Sequence, residues 1–534
     1  MLLGDILAHG ARIRPGRTAL VADAAAVTYR DLARGADAYA AALRAQGIRK
    51  GDRVAVLTRS TPAYVELLFA VTREGGVLVP LNPLLIAREL RTIILDAEAR
   101  FLLFEAEFAA TADAIRPSLA PESGCLCLDR PLPGYPHLAG GPAPGAAPPA
   151  GEPPCETDIA LQIYAGGTSG QPRGAMLSHR NLFAAAASAA IELGLSHEDI
   201  FLSCSPLPVL LGTGRLLRFL LVGATIVLMK EFAPGEALRA IERNRVTHAL
   251  FTATMMAQIV DLPNAPRRDL SSLRKIVYRG AFVNIDLLRR AAGFFGCDLV
   301  RTYGPIESSG ILTFLHAEDH AFDGSVPSIR RLASVGREAV GVEVRVVDDR
   351  GRDIGPNQVG EVIARGPNVF RGYFGDPGFT AEVLRDGWLY TGDLASIDDE
   401  GYVFVVDRKR DTLMIGGISV YPKEIENVIA EHPAVGDVAV VGRPDDTWGE
   451  IPAAVVVLKA GRKADAESIL AHCRENMAPF KVPRSIEIVP SLPRNSQGKV
   501  LKAKLKERRL GRGPARPEIP SAGSAPPPPR TPRP

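Results

Sequence analysis

The sequence predicts an α/β protein: a large N-terminal domain of parallel α/β sheets plus an antiparallel β subdomain, followed by a small α+β C-terminal domain. Its 534 residues exceed the roughly 250–300 residues at which single hydrophobic cores usually stop growing, so at least two domains are expected. The apolar pattern also changes twice along the chain. Strands alternate with helices up to about residue 303, short strands then follow one another, and a mixed segment comes last.

Strand–helix alternation in the first part of the chain is typical of parallel sheets covered by helices. Apolar runs separated by amphipathic stretches carry this prediction. The predicted strands are 53–57, 77–79, 224–229, 248–251, 275–278 and 299–303, and the predicted helices are 61–73, 236–245 and 286–295.

Beyond about residue 332 the pattern becomes that of antiparallel strands joined by turns. The strands of this subdomain are predicted at 342–348, 360–364 and 402–406. From residue 418 a small α+β unit is predicted, with helices at 423–431 and 465–476 and strands at 438–441, 453–458 and 486–489.

Composition excludes several classes of protein. The 63 basic and 60 acidic residues leave a net charge of +3, too balanced for a general nucleic-acid binder. No apolar run approaches 18 residues and the N-terminus lacks a signal-peptide layout, so we expect a cytoplasmic protein without an integral membrane segment. Six cysteines in a chain of this length do not indicate a disulfide framework.

Two segments are rich in proline. Residues 131–154 contain nine prolines and five glycines, which predicts an extended loop. Residues 511–534 contain nine prolines and four arginines, and such a segment cannot bury a core, so we expect a disordered tail.

The sharpest local motif is a glycine-rich loop that follows the apolar run 159–164. It reads YAGGTSGQPRG from Tyr164 to Gly174, and backbone N–H groups of such a loop can surround phosphate oxygens. The GxxxxGK[ST] pattern is absent, so this is not a P-loop.

This loop resembles the phosphate loop of the adenylate-forming superfamily, which comprises acyl-CoA synthetases, luciferases and adenylation domains of nonribosomal peptide synthetases, and the chain looks closest to fatty-acid–CoA ligases. Further motifs of the superfamily follow in the same order, and the resemblance covers roughly residues 10–508. They are RGAF at 279–282, YGPIE at 303–307, GWLYTGD at 387–393, DRKRD at 407–411, YPKEIE at 421–426 and LPRNSQGK at 492–499.

The resemblance implies an ATP-dependent carboxylic acid–CoA ligase that forms an acyl-adenylate and then a thioester. ATP, Mg²⁺ and coenzyme A are the implied cofactors, and a small-molecule carboxylic acid is the implied substrate. It also implies an N-terminal ATP- and acyl-binding domain at 1–406, a mobile C-terminal domain at 407–510 and the tail at 511–534. Arg410 would be the hinge between the two domains, and Gly416 and Gly417 would line the coenzyme A channel.

The same resemblance assigns the remaining site residues. Lys499, Thr168 and Glu307 are expected to be catalytic, with Thr168 and Glu307 beside the metal because Mg²⁺ prefers oxygen ligands. Tyr303 would stack on adenine, and Asp393 and Arg408 would bind the ribose. The full nucleotide-binding set is Gly166, Gly167, Thr168, Ser169, Gly170, Arg173, Gly174, Gly280, Ala281, Phe282, Tyr303, Gly304, Ile306, Asp393, Arg408 and Lys499.

Several positions depart from the superfamily pattern. Ala165, Gly166 and Ile306 stand where relatives usually carry hydroxyl residues, and Arg173 replaces a lysine. Each lost charge-assisted hydrogen bond costs roughly 1.5–3 kcal/mol. A catalytically weak adenylate-binding pseudoenzyme is therefore one alternative to an active ligase.

The implied acyl pocket is mostly apolar, which favours a medium- or long-chain fatty acid, with an aryl acid as the next choice. Its expected lining includes Cys204, Leu210, Leu211, Phe251, Met255, Phe282 and Ile311. Arg215 and Arg218 are expected to form salt bridges on a helix face, and the alternative is that they pair with a second carboxylate of the substrate. A fatty acyl-AMP ligase feeding an acyl carrier protein is the alternative for the acceptor, and a homodimer is left open.

Overall fold

The computed structural model describes residues 1–507 except for a few short segments and one longer loop. The undescribed positions are 24, 121–122, 139–151, 166–171, 263–267, 280–284, 416–417, 446–447, 480, 495–499 and everything from 508 onward. The chain forms two compact units and passes from the first to the second between Arg410 and Asp411.

Helices of the first unit begin where the sequence supplies caps. Pro62 occupies the first turn of one helix, where its missing N–H has no intrahelical partner to lose. Ser178 caps another by accepting from the Asn181 N–H. The helices are α1 Leu3–Ile13, α2 Tyr29–Ala45, α3 Pro62–Arg73, α4 Ala87–Asp96, α5 Ala109–Ile115, α6 His179–Leu193, α7 Leu210–Leu221, α8 Pro234–Asn244, α9 Ala253–Val260, α10 Ile285–Phe295, α11 Val326–Ala333 and α12 Pro377–Val383.

Strands of the first unit form three sheets. They are β1 Thr18–Ala22, β2 Ala25–Thr28, β3 Arg53–Leu57, β4 Val77–Pro80, β5 Phe101–Phe104, β6 Gly124–Cys127, β7 Ile159–Ala165, β8 Arg173–Ser178, β9 Ile200–Ser203, β10 Thr225–Leu228, β11 His248–Thr252, β12 Lys275–Arg279, β13 Asp298–Tyr303, β14 Thr313–Leu315, β15 Arg337–Glu338, β16 Glu343–Val347, β17 Gly360–Arg365, β18 Leu384–Arg385, β19 Trp388–Ile397 and β20 Val403–Arg408.

Two of these sheets are mainly parallel. The larger has the order β15-β14-β13-β12-β11-β9-β10-β1-β2, and it is parallel from β13 to β1. The other has the order β6-β5-β3-β4-β7-β8, with only β8 antiparallel to its neighbour. The inner strands β3, β4, β5 and β10 are buried almost throughout, as expected for parallel sheets with covered faces.

The third sheet is antiparallel, with the order β16-β17-β19-β18 and β20 paired to β19. Its inner residues join the same core as the two parallel sheets, through Val362 and Ala395 among others.

The second unit has its own apolar core, which includes Ile425, Val440 and Ile469. Its antiparallel strands are flanked by helices, and only β25 runs parallel to its neighbour. The elements are β21 Leu413–Ile415, β22 Ile418–Val420, α13 Pro422–Glu431, β23 Val435–Asp445, β24 Gly449–Leu458, α14 Ala466–Asn476, β25 Ser485–Ile488 and α15 Lys502–Glu507.

The predicted fold class is confirmed, and the predicted strands and helices appear within a few residues of their expected ends. The hairpin β1–β2 and the helices α1, α2, α4, α6 and α7 are among the elements that are not predicted from the sequence. In the part of the chain that the structure describes, no helix is long and apolar enough to cross a membrane.

Candidate active site

The candidate site begins at one edge of the larger parallel sheet. Strands β12 and β13 are parallel neighbours, with Tyr278 opposite Arg301. They end at Arg279 and Tyr303. Since ligands of open α/β sheets bind outside the carboxyl ends of the strands, these residues mark the edge at which a substrate would be expected.

Tyr303 contacts a carboxylate of the antiparallel sheet. Its hydroxyl donates to Asp393 Oδ2 at 2.6 Å, and Arg408 Nε lies 2.7 Å from Asp393 Oδ1. Asp393 and Arg408 face each other across β19 and β20. Burial, and then the Asp393 charge, raise the pKa of Tyr303 well above its usual value, so the phenol keeps its proton and acts as the donor.

A tight turn holds the Asp393 carboxylate in place. Gly392 adopts a positive φ of 70°, a conformation that favours glycine. The Thr391 hydroxyl accepts from the Asp393 N–H at 3.1 Å and donates to the Val362 carbonyl at 2.8 Å. Asp393 is only 5% exposed, so its two carboxylate oxygens contact protein side chains more than solvent.

Glu307 lies in the turn that follows β13. Its Oε1 accepts a 2.5 Å hydrogen bond from the Tyr373 hydroxyl, and its carbonyl accepts from the Phe370 N–H at 2.8 Å. The turn requires Gly304, because a Cβ at that position would lie 2.7 Å from the Ile311 nitrogen. Ile306 is half-buried and packs against the core.

Asn368 fixes this turn from the loop after β17. Its side chain is 1% exposed and donates to the carbonyls of Ser308 at 3.0 Å and Ile311 at 2.6 Å. The Ser309 hydroxyl donates back to the Asn368 carbonyl at 2.8 Å. Sequence reasoning missed both Asn368 and Tyr373, because neither belongs to the motifs that carried it and their partners lie more than 50 residues away.

Arg173 begins β8 and has two neighbours from the start of α12. Its Nε lies 3.1 Å from Asp376 Oδ2, and its guanidinium lies 3.8 Å from the centre of the Phe379 ring, a cation–π contact. The Phe379 N–H bond, and then Arg173, lower the pKa of Asp376. Gly174 allows close packing, since a Cβ there would lie 2.6 Å from Gln162 Nε2.

Part of the predicted site lies outside the described residues. This applies to Gly166, Gly167, Thr168, Ser169 and Gly170 of the phosphate loop, to Gly280, Ala281 and Phe282, to Gly416 and Gly417, to Lys499, and to the side chain of Arg410. Among the predicted residues that are described, Tyr303, Asp393 and Arg408 form one hydrogen-bonded group. No group of three metal-ligating side chains occurs among the described residues.

Two family models match the chain. Residues 7–374 match the model of the AMP-binding enzymes, and residues 424–499 match the C-terminal domain of the same enzymes. Together they cover most of both units.

Similar proteins are named for three kinds of product. A feruloyl-CoA synthase of Amycolatopsis sp is 37% identical over 95% of this chain and 99% of its own length. The fatty acid–[acyl-carrier-protein] ligase ScoC of Streptomyces coeruleorubidus is 34% identical, with coverage of 94% and 95%. The structure of the amide bond synthetase McbA from Marinactinospora thermotolerans superimposes with a TM-score of 0.84 at 32% identity, covering 94% of this chain and 99% of McbA.

Proposed function

The chain belongs to the family of AMP-binding enzymes and is an AMP-forming acid–thiol ligase; we propose that its thiol is coenzyme A and that its acid is an aryl acid. The group Tyr303–Asp393–Arg408 carries the nucleotide part of this proposal. A buried carboxylate with a lone pair left on each oxygen can accept from two hydroxyls, as the ribose of ATP requires.

The first half-reaction brings a carboxylate and a triphosphate together, so positive charge must offset their repulsion. We assign phosphate binding to the loop 166–170, Arg173 and Gly174, adenine binding to 280–282, Tyr303 and Gly304, and ribose binding to Asp393 and Arg408. Arg173 supports the assignment in one respect, because Asp376 and Phe379 hold its guanidinium in a defined position. Lys499 is proposed to stabilise the charge that develops on the α-phosphate.

Glu307 has the chemistry that a Mg²⁺ ligand needs. Its Oε1 is held by Tyr373, while its Oε2 has no hydrogen-bond or ion-pair partner among the described residues. Hard carboxylate oxygens suit Mg²⁺, which usually retains several waters and bridges phosphate oxygens. When bound, Mg²⁺ would supply charge neutralisation at the phosphates, and Glu307 together with Thr168 would hold it.

The second half-reaction needs an acceptor thiol. We propose that coenzyme A enters beside Gly416 and Gly417 and that Arg410 is the hinge between domains 1–406 and 407–510. The passage of the chain between its two compact units directly after Arg410 supports this position for the hinge.

Aryl acids replace fatty acids as the favoured substrate class. The apolar lining predicted a fatty acid first, but the relative with 37% identity is named for ferulate, whereas a relative named for fatty acids is 34% identical. An apolar pocket lining alone cannot distinguish aryl acids from fatty acids, because the burial of a ring and the burial of an alkyl chain of similar area contribute similar free energies of binding.

Pyrophosphate release tests the reaction and its acceptor together. The purified chain is incubated with ATP, Mg²⁺ and cinnamates, benzoates or fatty acids, and the acyl product is measured with coenzyme A, a holo acyl carrier protein or a primary amine. The proposal predicts pyrophosphate and thioester with an aryl acid and coenzyme A. Thioester formation only on the carrier protein, amide as the main product, or no pyrophosphate with any acid would each contradict it.

A further inference from the structure

Three arginine side chains, those of Arg215, Arg218 and Arg279, lie close enough for their charges to interact. Arg215 and Arg218 lie three residues apart on one face of α7 and are 4% and 6% exposed. Arg279 ends β12. A Cβ at Gly310 would lie 3.3 Å from Arg279 Nη1 and 3.8 Å from Leu210 Cδ2, so Arg279 and the start of α7 are both close to this glycine.

These guanidinium groups have no carboxylate partner within the described residues. Arg215 Nη1 donates to Ser205 Oγ at 3.2 Å, and Arg279 Nη2 donates to the Gly304 carbonyl. Arg215 Nη2 and Arg218 Nε are buried with no hydrogen-bond partner there. The expectation of helix-face salt bridges for Arg215 and Arg218 is therefore wrong.

The sequence next to Arg279 does not supply a counter-ion either. Positions 280–284 read GAFVN, without an acidic residue. Burial, and then the charge of Arg279, lower the pKa of Arg218 to about 9. Burial also lowers the pKa of Arg279 to about 10. For Arg215, burial and then the charges of the other two arginines lower the pKa well below its usual value.

A cluster of this kind destabilises the folded protein unless an anion joins it. A buried charge without a partner destabilises the folded protein, and guanidinium keeps its proton in proteins. Burial of an N–H donor that has no hydrogen-bond partner also destabilises the folded protein. Charged groups whose pKa is shifted by burial are typical of binding sites when they lie close to the edge of a sheet where ligands bind.

The position of the cluster selects among the anions of the reaction. Arg279 donates to the carbonyl of Gly304, the residue after Tyr303, so the cluster adjoins the candidate site. The reacting carboxylate loses its charge when it forms the adenylate, and three cations on it would stabilise the ground state against reaction. The phosphates are assigned to Arg173 and its loop. A second negative group on the acid is the anion that remains.

We propose that the acid substrate carries a second carboxylate, remote from the one that is activated, and that Arg215, Arg218 and Arg279 bind it. This inference rests on the proposed acid–CoA ligase function and narrows its substrate class from aryl acids to aryl dicarboxylic acids. Planar guanidinium groups match a carboxylate in bidentate geometry, which lysine in the same places would not do.

Matched acid pairs test the proposal in the wild-type protein. Pyrophosphate release is measured with cinnamate against 4-carboxycinnamate and with octanoate against octanedioate. We expect kcat/KM to be at least about tenfold higher for the diacid of the better pair, the scale of one charged hydrogen bond. Equal or higher kcat/KM for both monoacids would overturn the inference while leaving the ligase function intact, whereas no pyrophosphate with any acid would overturn the ligase function itself.

Substitution of the arginines adds a second readout. Arg218→Met and Arg215→Met should lower kcat/KM for the diacid at least about tenfold and leave the monoacid within about threefold. Arg34→Met, an exposed arginine on α2, is the matched control and should change neither value. An equal loss of kcat/KM for the diacid and for the monoacid would overturn the assignment of these arginines to the second carboxylate.

Thermal unfolding separates a binding role from a structural one. Without ligand, Arg218→Met should unfold at a higher temperature than wild type, because an unpaired buried charge has been removed. The diacid should raise the unfolding temperature of wild type but not that of Arg218→Met. The monoacid should not raise the unfolding temperature of wild type. A lower unfolding temperature of the unliganded variant, or stabilisation of wild type by inorganic phosphate equal to that by the diacid, would overturn the proposal.

Discussion

The hydroxyl of Tyr303 donates to Asp393 at 2.6 Å, and this bond joins the end of a parallel strand to the antiparallel sheet. Arg408 occupies the other carboxylate oxygen at 2.7 Å. Asp393 is thus oriented from both sides by protein groups. Such preorganisation lowers the cost of ordering the site when a ligand binds.

Loss of the Asp393 charge should weaken nucleotide binding without unfolding the protein. In Asp393→Asn, Arg408 loses its ion pair and the ribose loses a charged acceptor, so the Kd for ATP should rise about tenfold or more, equivalent to 1.5–3 kcal/mol. Calorimetric titration with ATP measures this. Asp37→Asn, which removes an exposed ion pair with Arg73, is the control, and unchanged ATP affinity of Asp393→Asn would refute the ribose assignment.

Tyr373 should matter through Glu307. Tyr373→Phe removes the hydrogen bond to Glu307 Oε1, so the carboxylate is no longer oriented and the Mg²⁺ concentration for half-maximal pyrophosphate release should rise several-fold. Glu307→Gln should raise it at least tenfold, because a charged ligand is lost. Tyr135→Phe, which breaks a tyrosine–carboxylate pair with Asp113, should leave Mg²⁺ dependence unchanged. A wild-type Mg²⁺ response in Glu307→Gln would exclude its metal role.

Lys499 should act only on the first half-reaction. A positive charge at the α-phosphate stabilises charge that develops during adenylate formation, so Lys499→Ala should slow that step by at least about 100-fold. Conversion of pre-made acyl-adenylate and coenzyme A to thioester should stay near the wild-type rate. Lys504→Ala, an exposed lysine of α15, is the control, and equal loss of both steps in Lys499→Ala would contradict the assignment.

Glu66 should make stability depend on pH. Burial raises the pKa of this carboxyl to about 7, and it packs over Gly35 of α2 near Tyr39. Because the folded state holds the proton more tightly than the unfolded state, stability is highest below about pH 4.5 for this group and falls as pH rises to about 7. The loss is at most about 3 kcal/mol.

Glu66→Gln should remove this contribution. The variant should unfold at a higher temperature than wild type at pH 8 and differ little from it at pH 5. Glu98→Gln, an exposed carboxylate, is the control in the same calorimetric scans. An identical pH profile for Glu66→Gln and wild type would show that Glu66 is solvated in the folded protein.

Sequence by itself determined the fold class and the pieces of the nucleotide site. Apolar period and turn residues specify β12, β13 and β20 locally, and the motifs at 303–307 and 387–393 mark two segments of the nucleotide site. These signals are local in the sequence, so they do not depend on how the strands are ordered in the sheets.

Only the tertiary structure decided which side chains meet. Asn368 and Tyr373 reach the turn of Glu307 across about 60 residues, and no local pattern encodes that contact. The same holds for Arg215 and Arg218, whose spacing indicates an ordinary helix-face salt bridge. Both side chains are buried without a carboxylate partner among the described residues, and they form a charge cluster with Arg279. Whether a buried arginine has a partner depends on the elements packed around the helix and not on the sequence of the helix itself.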